Sequence, residues 1–160
     1  MSTRTARREG ENGLTRCNKG LNRNECATCP FITLKPSEVI KKVTIGNGKE
    51  IEVKGKLNCK TPGFVYVLWS MKAPEKAYLG SSSRRPKDRL WEHKYSVSIE
   101  EGKDGAVANH FYETWSDTSD LVFRPVLKVK SSSPWVIKHF ESKLMNELNL
   151  VEEGVNRILT

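Results

Sequence analysis

The sequence predicts an α+β domain of three short strands and three helices, preceded by a cysteine-bearing hairpin. Phe64-Val-Tyr-Val-Leu-Trp69 is a continuous apolar run rich in β-branched and aromatic residues, the composition of a buried strand. Ser133 and Pro134 open a long amphipathic pattern that runs to about Leu150, too long for a strand and spaced as a helix. Upstream, Val43-Thr-Ile45 and Ile51-Glu-Val53 alternate apolar and polar around Gly46-Asn47-Gly48. Asn-Gly supplies the positive φ that tight hairpin turns require.

Taken in order, residues 1–16 show no periodicity and are expected to form a flexible basic tail. Residues 17–61 hold all four cysteines and the hairpin, and residues 62–160 form the main domain. There, the turn-like stretch Met71 to Lys76 leads from the first strand to a second, Ala77-Tyr-Leu-Gly80. Ser81, Ser82 and Ser83 offer N-caps, with Pro86 in the first turn of a helix to about Ser96. Ala106–Trp115 reads as a second helix. Leu121–Val129 is a third strand, and Pro125 places it at an edge or a bulge.

No apolar run approaches the roughly 20 residues that cross a bilayer, and no signal pattern opens the chain. The expectation is an intracellular protein with no membrane partner, and the cluster Arg4, Arg7, Arg8 reads as a weak nuclear address. The net charge of +8 is uneven: residues 1–60 carry 13 Lys and Arg against 6 acids, residues 61–160 carry 14 against 13. A basic arm ahead of a nearly neutral domain suits a phosphate backbone, and equally a merely solvated tail.

Three sets of residues suggest chemistry. Arg85, Arg89 and His93 stand four apart on one helix face, a guanidinium to grip a phosphate and an imidazole within reach of it. A solvated basic stripe has the same spacing. On the long helix, Val136, Phe140, Leu144 and Leu148 form the expected core stripe, and Glu141 lies beside it between Ile137 and Met145. A carboxylate among apolar neighbours is costly unless it is paired, holds a metal, or reaches solvent. Tyr66, on the strand face of Phe64 and Leu68, and Tyr78 on the next strand present phenols that also serve as ordinary packing.

Together, Phe64-Val-Tyr66, an eleven-residue gap, Tyr78-Leu-Gly80, Arg89, His93, Glu141 and finally Asn156 resemble the GIY-YIG nuclease pattern in order and spacing, over about residues 62–158. Phe64 stands where that pattern has Gly, and Leu79 where it has Ile. The Cys-x₂-Cys pair, the hairpin, a further Cys and Asn109-His110-Phe111 are most similar to the endonuclease domain of Penelope-like retroelements.

The resemblance implies a three-stranded antiparallel sheet flanked by helices and a metal-dependent DNA endonuclease that nicks its target. Glu141 would hold one Mg²⁺ or Mn²⁺, and Arg89 would neutralise charge on the scissile phosphate. Tyr66 would accept the proton of the attacking water, with His93 as the rival base or the acceptor of that proton. Tyr78 and Asn156 would orient water and hold the geometry. DNA would run along Arg84, Arg85, Lys87 and Lys94, with a reverse transcriptase or a second copy as further partners. The competing classes are a noncatalytic, zinc-stapled nucleic-acid-binding module on the same fold and a zinc-stapled protein-interaction domain.

Cys26-x₂-Cys29 is a usual zinc half-site, which Cys17 and Cys59 could complete. A set with His110 or His139 as fourth ligand, reduced packed thiols, and disulfides stay open beside it.

Overall fold

The computed structural model describes residues 12–17, 26–35, 37–46, 48–99 and 105–148. The main sheet has three antiparallel strands, β5 (Phe64–Ser70), β6 (Ala73–Ser82) and β7 (Leu121–Lys128), in the order β6-β5-β7. The apolar run therefore becomes the central strand, covered on both faces as its composition requires. Four helices accompany it: α1 (Cys29–Ile32), α2 (Pro86–Ser98), α3 (Ala106–Glu113) and α4 (Pro134–Leu148). An α+β fold on a three-stranded antiparallel sheet is thus present.

The extension carries β1 (Gly13–Leu14), β2 (Lys42–Thr44), β3 (Glu50–Glu52) and β4 (Lys56–Leu57). β2 and β3 pair antiparallel, Val43 opposite Ile51, as the alternation predicts. β1 pairs parallel with β4, and Leu14 is completely buried between Leu57 and Ile40. Residues 12–16, expected to belong to the tail, are therefore part of the fold. Arg16 reinforces it, donating to the Thr33 hydroxyl at 2.9 Å and to the Thr33 carbonyl at 2.9 Å. Two residues are too few to show a period, so only the tertiary pairing reveals the strand.

The extension also covers the outer edge of β7. Lys54 N–H donates to the Val126 carbonyl, and Lys128 N–H donates back to Lys54, each at 2.9 Å. An open strand edge invites pairing with other chains, and these bonds close it. Pro125 behaves as predicted: it lies on this edge strand opposite Tyr66, where the register slips between Val65 and Tyr66.

Three local expectations shift. The turn after β5 takes only Met71 and Lys72, and β6 runs from Ala73. Pro74, Glu75 and Lys76 read as loop by composition, yet an edge strand tolerates a proline and exposed charges. Ser81 and Ser82 pair with Val65 and Phe64 as strand residues, so the N-cap of α2 falls to Arg85, with Pro86 inside the first turn. Finally, α4 is rotated from the expected stripe. Ile137, Glu141, Met145 and Leu148 are buried, Phe140 and Leu144 are half-buried, and Val136 is 39% exposed. Glu141 thus sits on the helix's core-facing row.

Candidate active site and cysteine centre

Alternation along paired β5 and β6 puts Tyr66, Tyr78 and Gly80 on one face of the sheet. Helix α2 lies against that face and delivers Arg89 and His93, one turn apart, to the same phenol. Tyr66 Oη is 2.6 Å from His93 Nε2, and Arg89 Nε donates to Tyr66 Oη at 3.2 Å. The Tyr66 ring stands 5.6 Å from the His93 ring and 6.1 Å from the Tyr78 ring. A guanidinium only donates, so the phenol oxygen accepts from Arg89. With His93 assigned its proton on Nδ1, the Tyr66 hydroxyl donates to Nε2 and the chain of bonds is complete.

Gly80 makes this close approach feasible. A Cβ there would come within 2.5 Å of Tyr66 Oη and 2.8 Å of the Tyr78 ring. Gly80→Ala is expected to displace both phenols and to destabilise the fold by about 1–3 kcal/mol. Urea unfolding measures it.

The electrostatics follow from burial. Tyr66 is completely buried, and desolvation pushes its pKa well up, with Tyr78 adding to the rise and Arg89 opposing it. Tyr78 is raised for the same leading reason, with Arg89 again opposing and Glu141 adding to the rise. Burial thus outweighs the Arg89 charge and holds both tyrosines protonated. Burial, with the Arg89 charge beside it, pulls His93 from 6.5 to about 3, so the imidazole is neutral. Because unfolded His93 titrates near 6.5, its contribution to stability is complete above that pH and is lost progressively as pH falls toward 3. Thermal melts between pH 7.5 and 5 are expected to show this decline, and His93→Gln to flatten it.

Glu141 reaches the same strand from the other side. Its carboxylate is 4% exposed; Ser81 Oγ donates to Oε1 at 2.6 Å, and the largely exposed Lys138 lies 3.4 Å from Oε2. Ser81 has the opposite register parity to Gly80, so the phenol group and the carboxylate group straddle edge strand β6. The structure thus brings Tyr66, Tyr78, Arg89 and His93 into one contact cluster, with Glu141 next to it, one residue along the strand. Asn156 lies outside the described residues.

Glu92 belongs to the cluster and was not anticipated. It accepts from Arg89 Nη1 at 3.0 Å and pairs with Arg84. Its i, i+3 spacing from Arg89 was the available signal. Tyr78, Arg89, Glu92 and His93 line an open cleft of about 200 Å³, closed on its far side by Gly105–Ala108. Tyr66 is completely buried and does not line it. Of the other basic residues expected to meet DNA, Arg85 pairs with Asp88 at 2.9 Å and Lys94 sits 4.5 Å over the Phe31 ring. Lys87 is half-buried, its N–H bonded to the Cys59 carbonyl at 3.0 Å. The outer face of α2 shows a second unanticipated feature: exposed Trp91 and Tyr95 stack with centroids 5.5 Å apart and planes 7° from parallel.

The four cysteines converge from four places in the extension. Cys17, Cys26, Cys29 and Cys59 place their sulfurs within 4.8 Å of one another. Cys26–Cys59 and Cys29–Cys17 are 3.5 Å apart and Cys29–Cys59 3.9 Å, and all four thiols are free. A tetrahedral zinc with Zn–S near 2.3 Å would set sulfur–sulfur distances of about 3.8 Å, whereas a disulfide needs about 2.05 Å. The set can therefore hold a metal ion, and it is not two disulfides. Burial and the neighbouring sulfurs push Cys59 up strongly, and burial lifts Cys29 to about 11. Cys26, despite the opposing effect of burial, falls to about 6 through hydrogen bonds from Thr28 and Cys59. Four thiolates cannot coexist there without a compensating cation. Neither His110 nor His139 joins the group among the described residues; both lie on helices of the main domain.

No helix among the described residues is long and apolar enough to cross a membrane. Comparison with protein-family models, with curated proteins and with solved structures returns no match to this chain.

Proposed function

We propose that the chain is a metal-dependent DNA endonuclease on a GIY-YIG fold, most like the endonuclease domain of Penelope-like retroelements, which nicks its target. One observation carries the reading. Arg89 and His93 of one helix meet the buried Tyr66 phenol over Gly80, while Glu141 of a distant helix closes on the adjacent Ser81. An arginine, two phenols, an imidazole and a buried acid gathered around one edge strand are groups that suit phosphodiester hydrolysis.

Glu141 fits a hard divalent cation. Mg²⁺ is commonly bound through one or two carboxylates with waters and substrate phosphates, and among the described residues a serine hydroxyl and a surface lysine engage this carboxylate. Bound there, Mg²⁺ or Mn²⁺ would polarise the phosphoryl group and stabilise the leaving oxygen. Arg89 leans over the cleft and neutralises charge that builds on the phosphate. Tyr78, on the cleft wall, orients the attacking water, with Asn156 assisting. For Tyr66 to take a proton from the water as it passes its own to His93 Nε2, the cleft wall must part to admit that water to the buried phenol.

DNA is the partner, drawn by the basic residues around α2 and by the positive charge of residues 1–60. The exposed Trp91–Tyr95 stack adds a surface on which unpaired bases can lie. The cysteine set holds structural zinc, which anchors the extension against β7. A reverse transcriptase or a second copy is a further partner, and the nucleus the place of action.

Supercoiled plasmid incubated with the protein and Mg²⁺ or Mn²⁺ is expected to become open-circular, and to stay supercoiled in EDTA. A second reading has one observation in its favour: Arg84, Arg85 and Arg89 are each paired with an acid, as in a resting scaffold. DNA retained with a steep salt dependence, but uncut in every divalent metal, would establish that noncatalytic binding module instead.

A further inference from the structure

Glu92 is the acid of the cleft to which the proposed chemistry gives no role. Its two carboxylate oxygens are divided between two arginines of different origin. Arg89, three residues earlier on α2, bonds Oε1 through Nη1 at 3.0 Å. Arg84, in the loop before the helix, bonds Oε2 through Nη2. Two guanidiniums converging on the two oxygens of one planar anion is also how arginines hold two nonbridging oxygens of a phosphate. The group stands at the rim of the cleft lined by Tyr78 and His93, where a phosphate would enter.

We propose that Arg84 and Arg89 form a two-guanidinium phosphate site, and that Glu92 is a built-in competitor occupying it until a nucleic-acid phosphate displaces the carboxylate. The anion site rests on the contact geometry. Its assignment to a backbone phosphodiester rests on the nuclease reading above.

The exchange is physically easy. Both guanidiniums are permanently charged and would repel one another if left without an anion. A phosphodiester carries the same single negative charge as the carboxylate, so each guanidinium keeps an anionic partner when Glu92 turns aside. Glu92 is 38% exposed and can turn into solvent without stranding a buried charge. Glu141, 4% exposed on the other side of β6, has no such freedom. Asp88, one turn earlier, engages Arg85 and so stands apart from the clamp. The competitor would keep isolated anions out and admit a phosphate that further contacts along the strand hold in place.

The probe is inorganic phosphate, titrated in EDTA into the full chain labelled with ¹⁵N, following the arginine Nε–H signals. Phosphate is expected to shift the Arg84 and Arg89 signals, and Glu92→Gln to half-saturate at about tenfold lower phosphate. Arg84→Ala, at an exposed loop position, is expected to raise the half-saturation point by a similar factor. Asp88→Asn removes the same charge one turn away and is expected to leave it within about twofold. Equal gains in Glu92→Gln and Asp88→Asn would reduce the effect to net charge and overturn the proposal, as would shifts at neither arginine. Plasmid cleavage by the unmodified chain is read in parallel. Clamp behaviour without cleavage would sink the nuclease reading alone, and cleavage with an unresponsive Glu92→Gln would sink the clamp alone.

Discussion

Arg89→Ala and Glu141→Ala are each expected to abolish metal-dependent cleavage while the fold persists. Among the described residues Arg89 is the guanidinium bonded to the Tyr66 phenol, and its Nη1 faces the cleft through Glu92. Removing one preorganised donor of developing charge typically slows an enzyme about 10²–10³-fold, and here the phenol loses its stabilising partner as well. Arg89→Lys is expected to recover little, because an ammonium cannot bond the phenol and a phosphate with one planar fork. Glu141→Gln is the more informative partner variant. It can still accept from Ser81, so the helix stays seated, but it lacks the charge a divalent cation requires. Cleavage rates measured beside circular dichroism and melting temperature separate lost chemistry from lost structure. Unchanged cutting by either variant would overturn the roles.

If the cysteine set holds zinc as proposed, its removal is expected to cost the extension its structure. The segment has little core of its own: Leu14, Ile32, Val43, Ile45, Ile51, Val53 and Leu57 are buried, but on short strands, one short helix and the turns beside them, which pack mainly against β7 and one another. Structural zinc in small sites contributes on the order of 10 kcal/mol. The purified protein is expected to carry about one zinc per chain, judged by the single set of four sulfurs. A strong chelator under reducing conditions should release it and lower the melting temperature. Cys59→Ser is expected to be the most damaging single change, since Cys59 is fully buried and its carbonyl also accepts from Lys87 at the start of α2. Metal content determined by mass spectrometry, with melts before and after chelation, provides the check. Full stability without metal would leave the thiols as packing alone.

Which features were legible before the structure follows from how local each signal is. The central strand, the β2–β3 hairpin and the edge position of Pro125 come from adjacent residues, and all three stand. Arg89 and His93 are one helical turn apart, so their shared face could be read directly. The rotation of α4 could not, because Val136, Phe140, Leu144 and Leu148 make as good an apolar stripe as the row that is buried. What turns the helix is the Ser81 hydroxyl and the sheet face, contributed by residues sixty positions away. Ser81 itself read as a helix cap because serine's local preference is to cap, and strand pairing with Val65 overrides it. Arg84 escaped notice as a partner of Glu92 because eight residues, part loop and part helix, give no simple rule for who meets whom. The four cysteines were obvious as a set, whereas their closure into one group required the fold of the whole extension. Residues around Asn156 fall beyond what the structure describes.

Two side-chain groups, approaching β6 from opposite faces, are proposed to act on a single phosphate. Single-turnover cleavage of a duplex by the unmodified chain, a weakened Arg89→Lys variant, a weakened Glu141→Gln variant and the double variant tests this directly. Groups that stabilise one transition state together are strongly non-additive, so the double variant is predicted to be scarcely slower than the slower single one. Two losses that simply multiply would mean that Arg89 and Glu141 work independently, and the shared site would be contradicted.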